Sequence, residues 1–411
     1  MKPILTLLAL AALSLATTMA RADDTASLDG WPAWVHEAMD AEAKRLKYRE
    51  LTTPDESVTA RLPGKAQDPA PMEGGWYFVS DIKAESPLEC YLYTSSMDLA
   101  TLTDVVAEAN IEAVAGSADN VANRRVFHTS AGEVAGMPFL ALEWLYTVQR
   151  DDQVMVGFTK VRAAAKGENA ILCNHNYIGY RDTFAKAFAE FAESLQATDD
   201  TPAAFYEEIA KLNMNGLGDG VSYTSYTVDE DGDIRMYSAE ASIMPVDPST
   251  ISTSDSYRIS FAAPTGETIS AYSIGVENGE ITVNMDLERN DEGTWVSSGV
   301  MQEKELSFDI DAAQQPTSEW AQLAMARDLF ASDDSSVNAL IWMPAIDPTK
   351  FLEATMTRDD AEVERQAVMT LGPLSYTGRF DTSGNLVDAD LAIGPVVINI
   401  ERIWSEGSLL K

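Results

Sequence analysis

The chain has 411 residues and a formal net charge of -36, with 65 acidic side chains against 29 basic ones. That imbalance excludes nucleic acid and anionic membrane surfaces as partners, because both demand positive charge. The hydrophobic fraction of 45% is that of an ordinary globular protein, so the acidity does not imply disorder. It leaves open a basic partner, or a solvated acidic surface and nothing more.

Residues 1–22 read as a signal peptide. Lys2 supplies the positive start, Ile4 to Ala16 is an apolar run too short to span a bilayer, and Ala20-Arg21-Ala22 is a small-x-small cleavage site. No cysteine near that site offers a lipid anchor, and no later stretch has the length of a membrane helix. The expectation is an exported protein without a membrane anchor, periplasmic or secreted and bacterial. Its length predicts two domains, with three as the alternative.

Residues 23–74 are expected to hold an N-terminal helix and an irregular connection. Pro32 suits a first helical position, and Trp31, Trp34, Val35, Ala38 and Met39 form an apolar stripe over 31–49. Lys44, Arg45, Lys47 and Arg49 would then complement the helix dipole. His36-Glu37 lacks the second histidine of a zinc-protease helix. Residues 52–74 are rich in Pro, Gly, Asp and Thr.

Residues 75–197 are expected to form an α+β sandwich. Strands are predicted at Trp76–Ile82 and Glu89–Tyr93, then a helix from Asp98 or Thr101 to Val114 with Leu99, Leu102, Val105, Val106 and Ile111 inward. Four antiparallel strands follow at Arg124–Ser130, Pro138–Gln149, Gln153–Ala163 and Ala170–Asn174. The chain turns at Gly179, and a helix over Arg181–Leu195 buries Phe184, Ala187, Phe188, Phe191 and Leu195.

That element order, the final aromatic helix and its Phe191-x-x-Ser194-Leu195 ending make residues 75–197 resemble the Mog1/PsbP-like fold. The resemblance implies a non-catalytic binding or assembly module. It transfers no functional residue, because no diagnostic motif is shared.

Residues 198–204 read as a linker, and 205–411 as an antiparallel β-rich domain, curved or barrel-like, with inserted helices. A short helix is predicted at Ala203–Leu212, with Asn213 to Gly220 flexible. Strands follow at Ser222–Val228, Ile234–Ser242, Tyr257–Ala262, Ile269–Glu277, Ile281–Glu288, Trp295–Met301 and Glu305–Ile310, with Asn278-Gly279 a strong hairpin signal. Thr317-Ser318-Glu319 opens a helix carrying Trp320, Leu323, Ala326 and Phe330 inward. Val337–Met343 is a short apolar run. Asp347-Pro348 predicts a second helix to Met356. Strands at Val363–Leu371, Leu374–Phe380, Leu386–Ile393 and Val396–Trp404 end the chain.

Few residues offer chemistry. Cys90 and Cys173 are the only cysteines, and an exported pair reads as a disulfide. Loop entropy assigns the closed loop roughly 4–5 kcal/mol. The rivals are a Cys173/His175 nucleophile pair and two buried thiols. With three histidines in all and no His-x-His or Cys-x-x-Cys, no metal site is expected at His128 or His175. Gly-x-Ser-x-Gly, Gly-x-Gly-x-x-Gly and Walker-type loops are absent, so no catalytic residue and no cofactor are assigned. Asp229, Asp231 and Asp233 place oxygens at alternate positions as calcium loops do, without the downstream Glu, and read as a solvated hairpin tip. Asn399, Glu401 and Arg402 are polar amid apolar neighbours and are expected to face solvent or a groove. The expected function is an exported, non-enzymatic binding protein, in its sharper form an inhibitor or immunity-type protein for a basic partner. The alternatives are a carrier of a small apolar ligand in the C-terminal β domain and a carboxylate-dependent hydrolase.

Overall fold

The computed structural model describes residues 28, 30–82, 86–93, 98–150, 153–167, 169–197, 203–215, 218–310, 313–359, 364–372, 374–393 and 396–409. The expected signal segment and the linker residues 198–202 lie outside these. What is described is antiparallel sheet with a few helices, an α+β composition. It belongs to two compact units, one within Met19–Thr201 with Ile243–Ser252, the other within Pro202–Ser242 and Thr253–Lys411. Among the described residues no helix is long and apolar enough to cross a membrane.

In the first unit, helix α1 is only Ala33–Met39. The expected helix over 31–49 stops there, and Trp34 is 52% exposed instead of buried. The reason is tertiary. Ala41 O accepts the Tyr180 N–H at 2.6 Å, and Glu42 must turn toward a second helix, described below. The expected irregular connection is also wrong, because strands β1 (Tyr48–Thr52), β2 (Val58–Pro63), β3 (Lys65–Ala66) and β4 (Ala70–Met72) run through it.

Then come β5 (Gly75–Asp81), β6 (Leu88–Tyr93), α2 (Leu99–Ala115), β7 (Val121–Val134), β8 (Met137–Arg150), β9 (Gln153–Lys166), β10 (Asn169–His175), α3 (Arg181–Ser194) and β11 (Gln196–Ala197). The main sheet runs β3-β5-β6-β10-β9-β8-β7, with β4 also on β5, while β1, β2 and β11 form a small second sheet. Val105, expected inward on α2, is 59% exposed, whereas Leu99, Leu102 and Ile111 are buried.

Strand alternation sends Cys90, Ile171 and Cys173 into one core with Phe184, Phe188 and Phe191 of α3. Their neighbours Glu89, Tyr91 and Asn174 project to the opposite face, where Asn110 of α2 lies. The two faces therefore receive different chemistry from the same strands.

Helix α3 has no cap of its own, since Tyr180 before it is left-handed (φ 55) and makes no side-chain cap bond. Glu42 caps it instead. Its oxygens accept the Asp182 N–H at 2.9 Å, the Thr183 N–H at 2.8 Å and the Thr183 hydroxyl. A carboxylate satisfies the orphan donors at the positive end of the dipole. Gly179 (φ 76) is required in the turn before it, because a Cβ there would lie 2.2 Å from Ala38 O.

A 14-stranded sheet supplies the second unit, apart from residues 243–252, which belong to the first; it is made from β12 (Tyr206–Met214), β13 (Asp219–Val228), β14 (Ile234–Asp247), β15 (Thr250–Ala262), β16 (Thr268–Glu277), β17 (Glu280–Arg289), β18 (Trp295–Met301), β19 (Lys304–Ile310), β20 (Ser336–Ile341), β21 (Leu352–Arg358), β22 (Gln366–Leu371), β23 (Leu374–Phe380), β24 (Leu386–Ile393) and β25 (Val396–Gly407). Its order is β19-β18-β17-β16-β15-β14-β13-β12-β25-β24-β23-β22-β21-β20. Helix α4 (Glu319–Ala331) joins the two strand blocks, with the Ser318 hydroxyl accepting the Ala321 N–H at 3.1 Å as its cap.

Two predicted helices are strands instead. The Ala203–Leu212 helix is β12, which pairs on both sides, and the Asp347–Met356 helix is a turn followed by β21. Asp347 Oδ1 accepts the Thr349 N–H at 3.0 Å, which closes an Asx turn rather than starting a helix. Asn213 and Asp219 are paired across β12 and β13, so the expected flexible stretch is largely hairpin.

The sheet is rolled. Strands lie about 4.8 Å apart, so the nine steps from β15 to β20 would cover about 43 Å if flat. Yet Arg258 on β15 donates from Nη1 to the carbonyl of Trp342, just beyond β20, at 2.8 Å. The Trp342 indole N–H in turn donates to Ser297 Oγ on β18 at 3.1 Å. No pairing joins edge strands β19 and β20 among the described residues, so the sheet is not closed by strand hydrogen bonds.

Candidate binding site

Three tyrosines, a glutamate and three asparagines meet on the α2 face of the first unit. In β6 the alternation Glu89-x-Tyr91-x-Tyr93 places all three on this face. Tyr77 on β5 stands opposite Tyr91, and Asn174 on β10 stands opposite Glu89. The Tyr77 hydroxyl donates to Glu89 Oε1 at 2.7 Å, and the Tyr91 hydroxyl donates to Oε2 at 3.5 Å. Asn174 Nδ2 donates to the same Oε2 at 3.3 Å. The Tyr77 and Tyr91 ring centroids are 5.0 Å apart and those of Tyr91 and Tyr93 6.2 Å.

Asn110 of α2 closes the cluster. Its Oδ1 accepts from Asn174 Nδ2 and from Asn176 Nδ2, both at 2.6 Å, so two amides converge on one oxygen. Its own Nδ2 is tied to Val106 O at 2.8 Å, which fixes the side chain.

The balance of donors and acceptors is uneven. The Asn174 and Asn176 Oδ1 atoms are buried and accept no hydrogen bond among the described residues. Among the described residues Glu89 is met by neutral donors only. Burial, then the Glu89 carboxylate, pushes the Tyr77 and Tyr91 phenols far above their ordinary value of 10.0, so both stay protonated and donating. Cations are attracted to tyrosine ring faces. The arrangement can hold a hydrogen-bond donor or a cation, and it contains no nucleophile.

The opposite face carries the residues that looked chemical in the sequence. Cys173 stands opposite Cys90 with Cα atoms 4.1 Å apart, and the two form a disulfide. No thiolate is left to pair with His175. Burial, then the charge of Lys160, pulls the His175 imidazole down to about 3, so it is neutral at ordinary pH. Lys160 has no exposed surface and donates to Gly179 O at 2.9 Å and to Tyr177 O. It pins the turn that precedes α3. Burial pulls its ammonium from 10.5 to about 7. Arg181 Nε donates to buried Glu143 at 2.6 Å beside it.

The other sequence candidates are scattered. His36 is exposed on α1, and His128 lies on β7 opposite Glu143. Asp229 Oδ1 accepts the N–H groups of Asp231 (3.0 Å) and Asp233 (2.9 Å) at a hairpin tip. Among the described residues no group of His, Cys, Asp or Glu is arranged to hold a metal. Asn399 donates to Asp390 at 2.6 Å, whereas Arg402 is largely buried and bonds Asp381 at 2.6 Å. A carboxylate pair does occur on α2. Burial, then Glu108, raises the Asp104 carboxyl to about 6, but Glu108 is gripped by Arg124 through both oxygens.

Within the rolled sheet Ser222, Ser238, Ser256, Ser260 and Ser273 are buried, as are Ile398, Ile400 and Met369 on other strands. Glu240 is buried too, and its Oε1 has no partner among the described residues.

No known family description matches this chain, and no curated protein does. Among solved structures, a β-barrel-like protein of the DUF1849 domain of unknown function from Brucella abortus is 10% identical with a TM-score of 0.36, covering 50% of this chain and 98% of its own. A cyanobacterial PsbP from Synechocystis is 13% identical with a TM-score of 0.26, covering 38% and 96%. A DUF1089 protein from Pseudomonas aeruginosa is 14% identical at 0.24, covering 41% and 88%. These are distant β-fold likenesses.

Proposed function

We propose that this is an exported, non-enzymatic binding protein for a basic partner, which presents a cationic group to the cluster of Tyr77, Tyr91, Tyr93, Glu89, Asn174 and Asn176. We read residues 75–197 and 205–411 as two domains, the second barrel-like, and assign binding to the first. Export rests on the character of residues 1–22. The reading is carried by Glu89: a half-buried carboxylate that among the described residues is met by neutral donors and no cation, two of those donors being the hydroxyls of Tyr77 and Tyr91. Burying a charge without a counter-charge is costly, and an incoming cation relieves that cost. The net charge of -36 favours the same partner by speeding its approach.

The test is calorimetric titration of the mature protein with a lysine-rich peptide at low and moderate salt, against Glu89→Gln. Binding that survives moderate salt and weakens at least about tenfold in the variant is expected, since a hydrogen bond to a charged group contributes about 1.5–3 kcal/mol. Equal binding by both proteins overturns the assignment.

A further inference from the structure

Resting on that reading, we infer that the group recognised is a primary ammonium on a slender alkyl chain, in preference to a guanidinium or a quaternary ammonium. The acceptors in the cluster select among cations. A primary ammonium brings three N–H donors on a compact centre. The cluster holds three acceptors for them: the Glu89 carboxylate, Asn174 Oδ1 and Asn176 Oδ1, of which the last two accept nothing among the described residues. Their amides are held in place through one shared atom, Asn110 Oδ1. Both oxygens are closed to solvent, so a donor meets them only where neighbouring side chains give way, and a small one needs the least room.

A quaternary ammonium fills an aromatic enclosure but has no N–H, and it would leave both amide oxygens unmet. A buried acceptor without a donor is the costly outcome. A guanidinium favours two parallel bonds to one carboxylate. Glu89 is ill suited to that fork, because Tyr77 already occupies Oε1 while Tyr91 and Asn174 occupy Oε2. The two phenol hydroxyls are committed to the carboxylate, so the tyrosines offer a cation their rings. A point-like ammonium can share Glu89 with those donors, as three N–H groups can be directed separately. The rest of the cluster is neutral, so one positive charge balances it.

The same ammonium could belong to a free amine or to a lysine side chain, and the experiment separates the two. The mature protein is titrated at pH 7 with butylammonium, tetramethylammonium, butylguanidinium and N-acetyl-lysine amide, using wild type and Asn176→Val. Circular dichroism checks that the variant is folded. Butylammonium is expected to bind at least about tenfold more tightly than tetramethylammonium or butylguanidinium, and Asn176→Val to erase most of that preference. A still tighter N-acetyl-lysine amide identifies a lysine of a basic protein as the source, and a weaker one a free amine. If tetramethylammonium or butylguanidinium binds as well as butylammonium, or if Asn176→Val leaves the preference intact, the ammonium inference falls while the cationic site stands. If no cation binds, the proposed function falls and takes this inference with it.

Discussion

Replacing Glu240 by glutamine should stabilise the protein increasingly as pH rises. Glu240 is 4% exposed on β14, with Oε1 buried and unpartnered among the described residues. Burial alone raises its carboxyl well above the ordinary 4.5. Below pH 4.5 the folded and unfolded chains both hold the proton. Above it the unfolded chain releases a proton that the folded chain keeps. The folded state then binds more protons, so stability falls by about 1.4 kcal/mol per pH unit until the raised pKa is reached. Glutamine has the same shape and does not titrate. For a unit of about 200 residues, 1 kcal/mol corresponds to about 2–4 °C in Tm. The Tm advantage of Glu240→Gln should therefore widen by about 3–6 °C per pH unit above 4.5. Thermal unfolding followed by circular dichroism at pH 5, 6 and 7 measures it, and the remaining carboxyls cancel between the two proteins. A Tm difference that stays constant or shrinks with pH would mean that Glu240 is ionised and paired in the folded state, and the reasoning would fail.

Two further predictions concern buried cations. Lys160, drawn down to about 7, has the opposite sign: between pH 7 and 10.5 the unfolded chain holds a proton that the folded one has lost, so stability rises with pH. From pH 7 to 9 the wild type should gain about 2.3 kcal/mol relative to Lys160→Met in urea unfolding, and equal pH slopes would sink the idea. Arg258 and Glu319 form a buried pair at 2.6 Å in the second unit. Arg258→Met should cost about 3–5 kcal/mol by stranding Glu319, and adding Glu319→Leu should recover most of it. A double variant as unstable as the single one would refute this.

The strands and helices legible in the sequence were those whose pattern came from one buried face. Phe184, Phe188 and Phe191 mark α3 to within a residue, and the Asn278-Gly279 turn marks its hairpin. Two of the misreadings originate in partners far along the chain. Lys44 and Arg45 look like the basic end of a helix, but Glu42 is needed at Thr183, so the chain leaves the helix at Met39. Tyr206, Ile209, Ala210 and Leu212 are spaced as well for a helix as for a strand, and all four are buried. A strand paired on both sides and covered on both faces loses the alternation that would identify it.

The site was illegible for a sharper reason. Glu89-x-Tyr91-x-Tyr93 and Asn174-x-Asn176 are both visible, yet only the register of β6 on β10 sets Asn174 against Glu89. Rarity pointed instead to Cys173 and His175, on alternate positions of the same strand. Both turn toward the α3 face, where the thiol is consumed in the disulfide and the imidazole is buried and neutral. Asn174 between them, of a common type and without intrinsic reactivity, turns the other way and keeps an acceptor that nothing among the described residues meets. In β10 the reactive side chains serve the core, and the capacity to bind is left to the amide on the other face of the pleat.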